Sequence, residues 1–275
     1  MPFSRALLLA FSILWSVFAS VAHAQHIKQL YDEDSTLDLS DSLYYLYETN
    51  YQLSINDIAR RKNDFLVHPS SNPNFGFQNS AVWILSSVTN VSNTSDWVFT
   101  INFSQLDKVD FYLIQNGKLL AQSRQGKVQL EQQFRVPTLR AKIDSASPVD
   151  LYIRVESQSS SIIVPLRAQA AEHHNRYFQL DSLLWGVFYG GLLILAIYNL
   201  VLYIGVREKS VLAYVGYIFA VILWQVVWGG HTHFIFSQGI PVWLVGHTEL
   251  IFVIIGITSG LFTISFLDSE NNAPT

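Results

Sequence analysis

The sequence has no cysteine among its 275 residues and few charged side chains. Without cysteine there is no disulfide, no thiolate nucleophile and no cysteine-ligated metal site. Charged residues make up 14% of the chain, against about 25% in soluble domains, and the formal net charge is -4. No basic patch with interleaved aromatic residues is present, so nothing indicates a nucleic-acid partner.

The sequence also lacks the short motifs that mark common active sites. It has no glycine-rich phosphate loop, no H-E-x-x-H zinc motif and no G-x-S-x-G nucleophile elbow, and its paired carboxylates are sparse. We therefore predict no catalytic residue, no cofactor and no enzymatic activity for these residues.

What the sequence does contain is a long uncharged run, residues 182–204, without Asp, Glu, Lys, Arg or His. A helix of that length is roughly 34 Å long at about 1.5 Å per residue, enough to cross a bilayer core of about 30 Å. Aromatic residues such as Trp185 and Tyr203 stand near its two ends, as is typical of membrane interfaces. The run predicts a membrane span, with the lipid bilayer as a partner.

Two further spans are predicted at 211–228 and 242–267, within a membrane region of residues 178–275. The loop between the first two spans carries Arg207 and Lys209. Positive charge favours the cytoplasmic side, so the segment before residue 182 is placed outside. We predict a multi-pass membrane protein with its N-terminal domain outside the cytoplasm.

Residues 1–24 have the organisation of a secretory signal peptide. Arg5 precedes an apolar run from residue 6 to residue 18, and Ala22-His23-Ala24 forms an A-x-A cleavage site. An uncleaved anchor is the alternative. Both interpretations export the chain from residue 25 onward.

The predicted external domain, residues 25–177, shows the alternation of β-strands. Ser54 is predicted to be the N-cap of a short helix ending at Arg61. Asn116-Gly117 is a strong hairpin signal, because both residues accept a positive φ. Side chains alternate between two faces at 82–88, 97–103, 109–114 and 149–156, and further strand-like runs lie at 118–124, 139–143 and 162–166, with turn residues between the runs. This pattern predicts an all-β antiparallel sandwich.

A sandwich without catalytic motifs usually binds a ligand. Exposed aromatic, amide and guanidinium groups are suited to stacking on sugars and hydrogen bonding to them, and they suggest a small-molecule or carbohydrate ligand. The candidate contacts are Trp83, Asn90, Tyr112, Arg135, Tyr152 and Arg154. Packing roles compete with this interpretation, especially for Trp83 and the strand arginines, and Trp97 is favoured as a core residue.

Residues 168–181 connect the predicted sandwich to the first span. They lack the glycine and serine of a flexible tether. A short, semi-rigid, helical or turn-like connection is expected, which would transmit a movement of the sandwich.

Glu249 and His247 lie in the predicted third span, where ionisable side chains are costly and often functional. His231 and His233 on the preceding outer loop are near enough in sequence to approach them. Their spacing matches no metal-ligand template, so no metal site is predicted. We expect Glu249 to make a polar contact between helices.

The residues from Phe188 to Phe219 resemble the start of the membrane core of the bacterial seven-transmembrane receptors with diverse intracellular signalling modules. The matching features are Tyr189-Gly190-Gly191, Tyr198-Asn199 and the charged Arg207–Ser210 loop. Upstream, residues 74–83, Asn90, 106–118 and 149–157 are similar to the second type of extracellular domain of those receptors.

The resemblance implies a periplasmic jelly-roll domain similar to carbohydrate-binding modules, four more membrane spans and a cytoplasmic output module. Diguanylate cyclases, histidine kinases and phosphatases are such modules. The membrane region is thus expected to be the truncated start of a seven-helix core, although a three-span protein is the alternative. The residues do not decide between a monomer and a homodimer.

The leading hypothesis is a multi-pass receptor of a bacterial inner membrane, with its N-terminal domain in the periplasm, that senses a small extracytoplasmic ligand and signals through its helices. One alternative is an assembly protein whose sandwich docks a periplasmic protein. Another is a membrane enzyme or transporter that uses Glu249 and His247.

Overall fold

The computed structural model describes residues 26–31, 36–48, 53–128, 134–144, 147–236 and 240–267. The predicted signal peptide, residues 1–24, lies outside them. Eleven strands and six α-helices are seen in these residues. The strands are β1 (Ile27–Leu30), β2 (Leu37–Asp38), β3 (Tyr44–Glu48), β4 (Leu66–Val67), β5 (Ala81–Asn90), β6 (Asp96–Ile101), β7 (Lys108–Gln115), β8 (Lys118–Gln125), β9 (Thr138–Lys142), β10 (Val149–Glu156) and β11 (Leu166–Ala170). The helices are α1 (Ile55–Arg60), α2 (Ala171–Val206), α3 (Lys209–Trp228), α4 (Thr232–Ile235), α5 (Ile240–Gly246) and α6 (Thr248–Leu267).

The strands form two sheets. The larger is a 7-stranded sheet in the order β4-β3-β5-β10-β7-β8, with β1 parallel to β5. The smaller is a 4-stranded sheet in the order β2-β11-β6-β9. The inward side chains of both sheets, such as Phe111 of the larger and Trp97 and Phe99 of the smaller, share one buried core. The predicted β-sandwich and the core position of Trp97 are confirmed, whereas the finer jelly-roll connectivity stays a prediction.

The period-two pattern explains which face of each strand is buried. On β10, Leu151 and Ile153 are fully buried in the core between the sheets, while Asp150 and Arg154 lie on the outer face. The predicted hairpin at Asn116-Gly117 is also confirmed. These two residues have φ of 50° and 74°, and they join the antiparallel pair β7 and β8.

The outer face of the larger sheet is partly covered by the segment that contains α1. Ser54 caps this helix, since its side chain accepts from the backbone of Asp57 in a reciprocal capping box. Ile58 and Phe65 from this segment pack against Trp83 and Tyr152 of the sheet. The predicted N-cap is thereby confirmed.

One strand prediction is wrong. The apolar run at 162–166 predicts a strand, but the strand in the structure, β11, begins only at Leu166 and continues to Ala170. Pro165 has no N–H to donate to a ladder, so pairing starts after it. Ile163 before the proline makes only an isolated bridge with Asn74.

Three helices, α2, α3 and α6, are long and apolar enough to cross a membrane. Helix α2 has 36 residues, so it extends about 54 Å at about 1.5 Å per residue. The predicted first span, 182–204, is its later part. The segment predicted as one third span, 242–267, is divided between α5 and α6, with His247 between them.

Candidate functional site

Four of the six predicted ligand contacts lie together on the outer face of the larger sheet. Arg154 of β10 stands opposite Trp83 of β5, and Tyr152 stands opposite Tyr112 of β7. The Trp83 ring stacks on Tyr112, with 6.0 Å between the ring centroids. Trp83 and Tyr152 are each only 1% exposed, contrary to the expectation of exposed rings. A ligand role for these four residues stays a prediction.

A buried carboxylate organises this face. Glu48 at the end of β3 is 2% exposed and accepts hydrogen bonds from Trp83 Nε1 at 2.7 Å and Arg154 Nε at 2.9 Å. Its other oxygen accepts from the backbone N–H of Leu53 at 2.7 Å. Sequence reasoning missed Glu48, because its partners are far away in the chain. The three bonds satisfy the buried charge and fix the Trp83 and Arg154 side chains.

The charges continue across the same face. Asp110 of β7 stands opposite Arg154 on one side and Arg124 of β8 on the other. Burial raises the pKa of Asp110, and the two flanking arginines act against that rise. The outer face of the larger sheet therefore carries a network of charged side chains.

Asn90, the fifth predicted contact, lies elsewhere and uses all its hydrogen-bonding capacity on the protein. Its Nδ2 donates to the carbonyls of Thr94 at 2.7 Å and Ile143 at 2.8 Å. Its Oδ1 accepts from the N–H of Ser92 at 3.1 Å and from the Ser92 hydroxyl. Asn90 is 1% exposed, so its visible role is to hold the turn after β5 against residue 143. Its ligand role stays a prediction.

Replacing Asn90 by alanine is expected to lower the free energy of unfolding of the sandwich by about 2 kcal/mol, because buried carbonyls lose their donors. Hydrogen–deuterium exchange of the β5 and β6 amides in the membrane-reconstituted chain measures this loss. The neighbouring Asn93→Ala change is the control, because Asn93 is exposed. Equal effects of the two changes would contradict the assigned role.

Arg135, the sixth predicted contact, lies where the sandwich meets the helices. Its Nε donates to Oδ2 of Asp181 on α2 at 2.7 Å, and a terminal nitrogen donates to Oδ1 at 3.1 Å. About one fifth of each side chain is exposed, 21% for Arg135 and 19% for Asp181. This two-pronged ion pair joins the loop before β9 to Asp181, which lies in the early part of α2.

A second set of contacts joins the sandwich to the end of α3. The Ser104 hydroxyl donates to the carbonyl of Trp228 at 2.8 Å, and Gln105 Nε2 donates to the same oxygen at 2.7 Å. The last carbonyls of a helix lack partners within the helix, and the sandwich supplies donors for one of them. Gly230 follows with φ of 79° and passes against the backbone of Arg135.

The histidines of the outer loop have separate partners. His231 packs on Trp185 with centroids 4.8 Å apart, while its Nδ1 lies 3.2 Å from the Tyr189 hydroxyl. His233 Nε2 donates to the carbonyl of Lys127 at 3.2 Å. Within the described part of the chain, no group of three or more His, Asp or Glu side chains is placed to hold a metal ion.

His247 and Glu249 stand at the start of α6. His247 stacks on Trp243 and its Nδ1 lies 2.8 Å from the Trp243 carbonyl. The sequence predicts Glu249 inside a third span that starts at residue 242, but the structure places it in the first turn of α6. A carboxylate there is favoured by the helix dipole. The predicted contact between helices stays a prediction.

Two family models match the chain. The one described as 7TMR-DISM extracellular 2 matches residues 40–170, and the one described as 7TM diverse intracellular signalling matches residues 181–274. The chain belongs to the seven-transmembrane receptors with diverse intracellular signalling. This confirms the resemblance found in the sequence. Both matching families are receptor or sensor domains.

The geometry of the receptor agrees with an external N-terminal domain. Helix α2 starts at the sandwich, α3 ends against Ser104 and Gln105, and Val245 of α5 lines a cleft with Asp107 of the sandwich. The loop at Arg207 lies at the opposite ends of α2 and α3. The receptor is therefore a multi-pass membrane protein with its sandwich outside.

No curated protein matches the receptor chain. Among solved structures, it is similar to a β-glucosidase from Kluyveromyces marxianus in complex with glucose, at 13% identity and a TM-score of 0.28, over 46% of this chain and 15% of that one. It is also similar to the insecticidal delta-endotoxin Cry8Ea1 from Bacillus thuringiensis, at 13% identity and a TM-score of 0.26, over 54% of this chain and 25% of that one. The chain thus spans a quarter or less of the length of these proteins, and TM-scores this low bear on neither fold nor function.

Proposed function

We propose that the receptor senses a small ligand on the outside of a bacterial inner membrane and passes the signal through α2 and α3 to a cytoplasmic output module. The proposal is supported above all by the polar junction, in which Arg135, Ser104 and Gln105 of the sandwich bind the external ends of two membrane helices. Carbohydrates stay one predicted class of ligand.

The first connection between the sandwich and the membrane helices is the direct continuation of β11 into α2. Strand β11 ends at Ala170 and helix α2 begins at Ala171, so no loop separates them. The backbone hydrogen bonds of a helix make it stiff over this length, and a flexible linker would absorb a displacement instead. A shift of the smaller sheet therefore moves the start of α2.

The second link is a separate attachment to α3. Ser104 and Gln105 bind the end of α3, whereas the Arg135 side chain binds α2, so a change in the sandwich that moves one set of donors relative to the other changes the relative position of α2 and α3. A ligand shifts such an equilibrium only by its difference in affinity for the two arrangements. The signal is thus a displacement between two helices rather than a new contact inside the membrane.

The ion pair gives the first test. Arg135→Ala, Asp181→Ala and the double variant are expected to show a coupling energy of about 1.5 kcal/mol in the opening of the junction, because the pair is partly buried and two-pronged. Hydrogen exchange at residues 104–106 and 228–231 of the reconstituted chain measures it.

The matched control is a second two-pronged pair on the smaller sheet, Arg140 with Asp96, which is more exposed at 54% and 31%. Its variants should leave exchange at the junction unchanged. Additive effects of Arg135→Ala and Asp181→Ala would show that the ion pair does not couple the sandwich to α2.

The sensing role needs a ligand screen on the whole chain. Compounds that raise its melting temperature in lipid nanodiscs should also change hydrogen exchange at residues 207–209, which lie at the far ends of the helices. In the Arg135→Ala/Asp181→Ala variant, the change in exchange at residues 207–209 should be smaller. A compound that binds the sandwich and leaves residues 207–209 unchanged in the unmodified chain would contradict transmission through the helices.

A further inference from the structure

A small cleft separates the outer face of the smaller sheet from the first turns of α2. Its volume is about 60 Å³, and its walls include Thr100 and Arg167 from the sheet and His174 and Phe178 from the helix. Arg135 and Asp181 also line it. These residues precede the uncharged run at 182–204, so the cleft lies outside the membrane.

His174 brings an unsatisfied polar atom to this cleft. The side chain is only 6% exposed, and among the described residues its Nε2 has no hydrogen-bond partner. Buried polar atoms without partners are rare and costly, so such an atom in the wall of a cleft indicates a missing ligand group.

The surrounding hydrogen bonds define which group is missing. Gln169 Nε2 donates to Thr36 Oγ1 at 2.6 Å, which directs Gln169 Oε1 toward His174 Nδ1 at 3.3 Å. In this arrangement the Nδ1 of a neutral ring carries the hydrogen, and Nε2 presents a lone pair. A ligand at Nε2 must therefore donate, as an alcohol O–H does.

The sheet wall adds two more groups. Thr100 and Arg167 are directly opposite each other on β6 and β11, and both line the cleft. The Thr100 Oγ1 is buried and has no hydrogen-bond partner among the described residues. Arg167 is exposed, Asp38 of β2 stands opposite it on its other side, and no ion pair of Arg167 is seen within the same residues, so its guanidinium supplies the positive charge of this wall.

We propose that this cleft is a binding site for a small hydroxy-carboxylate, with the ligand hydroxyl donating to His174 Nε2 and its carboxylate bound by Arg167. The proposal deepens the proposed function by locating a ligand at the junction itself. The walls belong to both the sandwich and α2, so an occupant favours the arrangement in which the two are close.

The test uses the whole chain in lipid nanodiscs and three matched three-carbon probes. Saturation-transfer NMR on the methyl groups compares lactate with propionate, which lacks the hydroxyl, and with 1,2-propanediol, which lacks the carboxylate. Lactate should bind saturably, and each of the other two at least 10-fold more weakly. His174→Phe and Arg167→Gln should each weaken lactate binding at least 10-fold, whereas Arg140→Gln, another strand arginine of the same sheet, should not.

Thr100→Val serves as a second probe of the site, because it keeps the volume of the side chain and removes only the hydroxyl. It too should weaken lactate binding. Equal, non-saturating signals for all three compounds would show that water alone occupies the cleft and would overturn the site. Binding of propionate as tight as lactate, or lactate binding unchanged in the His174 and Arg167 variants, would overturn it as well. The Arg135 and Asp181 experiments need no lactate, so the junction is tested independently.

Discussion

Glu48→Ala is expected to lower the free energy of unfolding of the sandwich by about 3 kcal/mol. The change leaves the buried Trp83 Nε1 and the Leu53 N–H without an acceptor, and it removes one of the carboxylates that pair with Arg154. Breaking a buried ion pair by removing one partner costs about 3–5 kcal/mol. We expect the lower end of this range because Arg154 keeps its second ion pair, with Glu156. Exchange of the β5 and β10 amides in the reconstituted chain measures it.

Glu156→Ala is the matched control. Glu156 also pairs with Arg154, but its side chain is 19% exposed, against 1% for Glu48. Solvent compensates for the loss at such a position, so a cost of about 1 kcal/mol or less is expected. Equal costs for the two variants would show that Glu48 does not organise this face.

The same carboxylate predicts a pH dependence. Burial alone raises the pKa of Glu48, but hydrogen bonds from Leu53, Arg154 and Trp83 outweigh it and hold the pKa below its ordinary value. A group with a lowered pKa in the folded state contributes full stability above its ordinary pKa, and this contribution is lost as the pH falls through the folded pKa. The stability difference between the unmodified chain and Glu48→Gln should therefore shrink below about pH 4. A difference that is constant from pH 7 to pH 3 would contradict the pKa shift.

Gly230→Ala is expected to open the junction while leaving the sandwich folded. Gly230 has φ of 79°, which an L side chain rarely adopts, and an added Cβ would overlap the carbonyl oxygen of Arg135 and approach Cβ of Ser104 to 2.9 Å. Because a backbone atom blocks the space, the sandwich and the end of α3 must move apart. Exchange at residues 104–106 and 226–231 should rise at least 10-fold.

Gly216→Ala is the control for helix α3, since an added Cβ there meets nothing closer than Thr258 Cγ2 at 4.0 Å. Its exchange at the junction should match that of the unmodified chain. Because the chain has no native cysteine, a pair of spin labels at engineered cysteines, one on β8 and one in the loop near residue 208, can confirm the displacement. Unchanged label distances and exchange in Gly230→Ala would show that this close approach does not hold the junction.

Local sequence patterns predicted several elements of the fold correctly. Strand β10 follows from the alternation at 149–156, the turn at Asn116-Gly117 from two residues that accept positive φ, and the cap of α1 from Ser54. The strands β1, β2 and β4 were missed because two to four residues are too few to show a period, and β3 was missed because its sequence, YYLYE, does not alternate. β11 was misplaced by an apolar run that continues through a proline.

The candidate site was less predictable. Aromatic and guanidinium groups at strand positions suggested ligand contacts, yet the sequence does not show whether another segment covers them. Trp83 is covered by the segment around α1, and Arg135 is held by Asp181. No local pattern distinguishes His174, since its unsatisfied Nε2 is visible only in the folded chain, where the ring lies beside Gln169.

The sequence by itself determined the partition of this receptor, because hydropathy and strand period are properties of neighbouring residues. Uncharged runs long enough for a bilayer and alternating runs suited to a half-buried sheet are visible without any tertiary contact. Only the tertiary structure decided which polar groups meet, because Glu48 and Arg154 are 106 residues apart and Ser104 and Trp228 are 124 apart. Such pairs depend on sheet register and on how the sandwich docks on the helix ends, and no local pattern encodes either one.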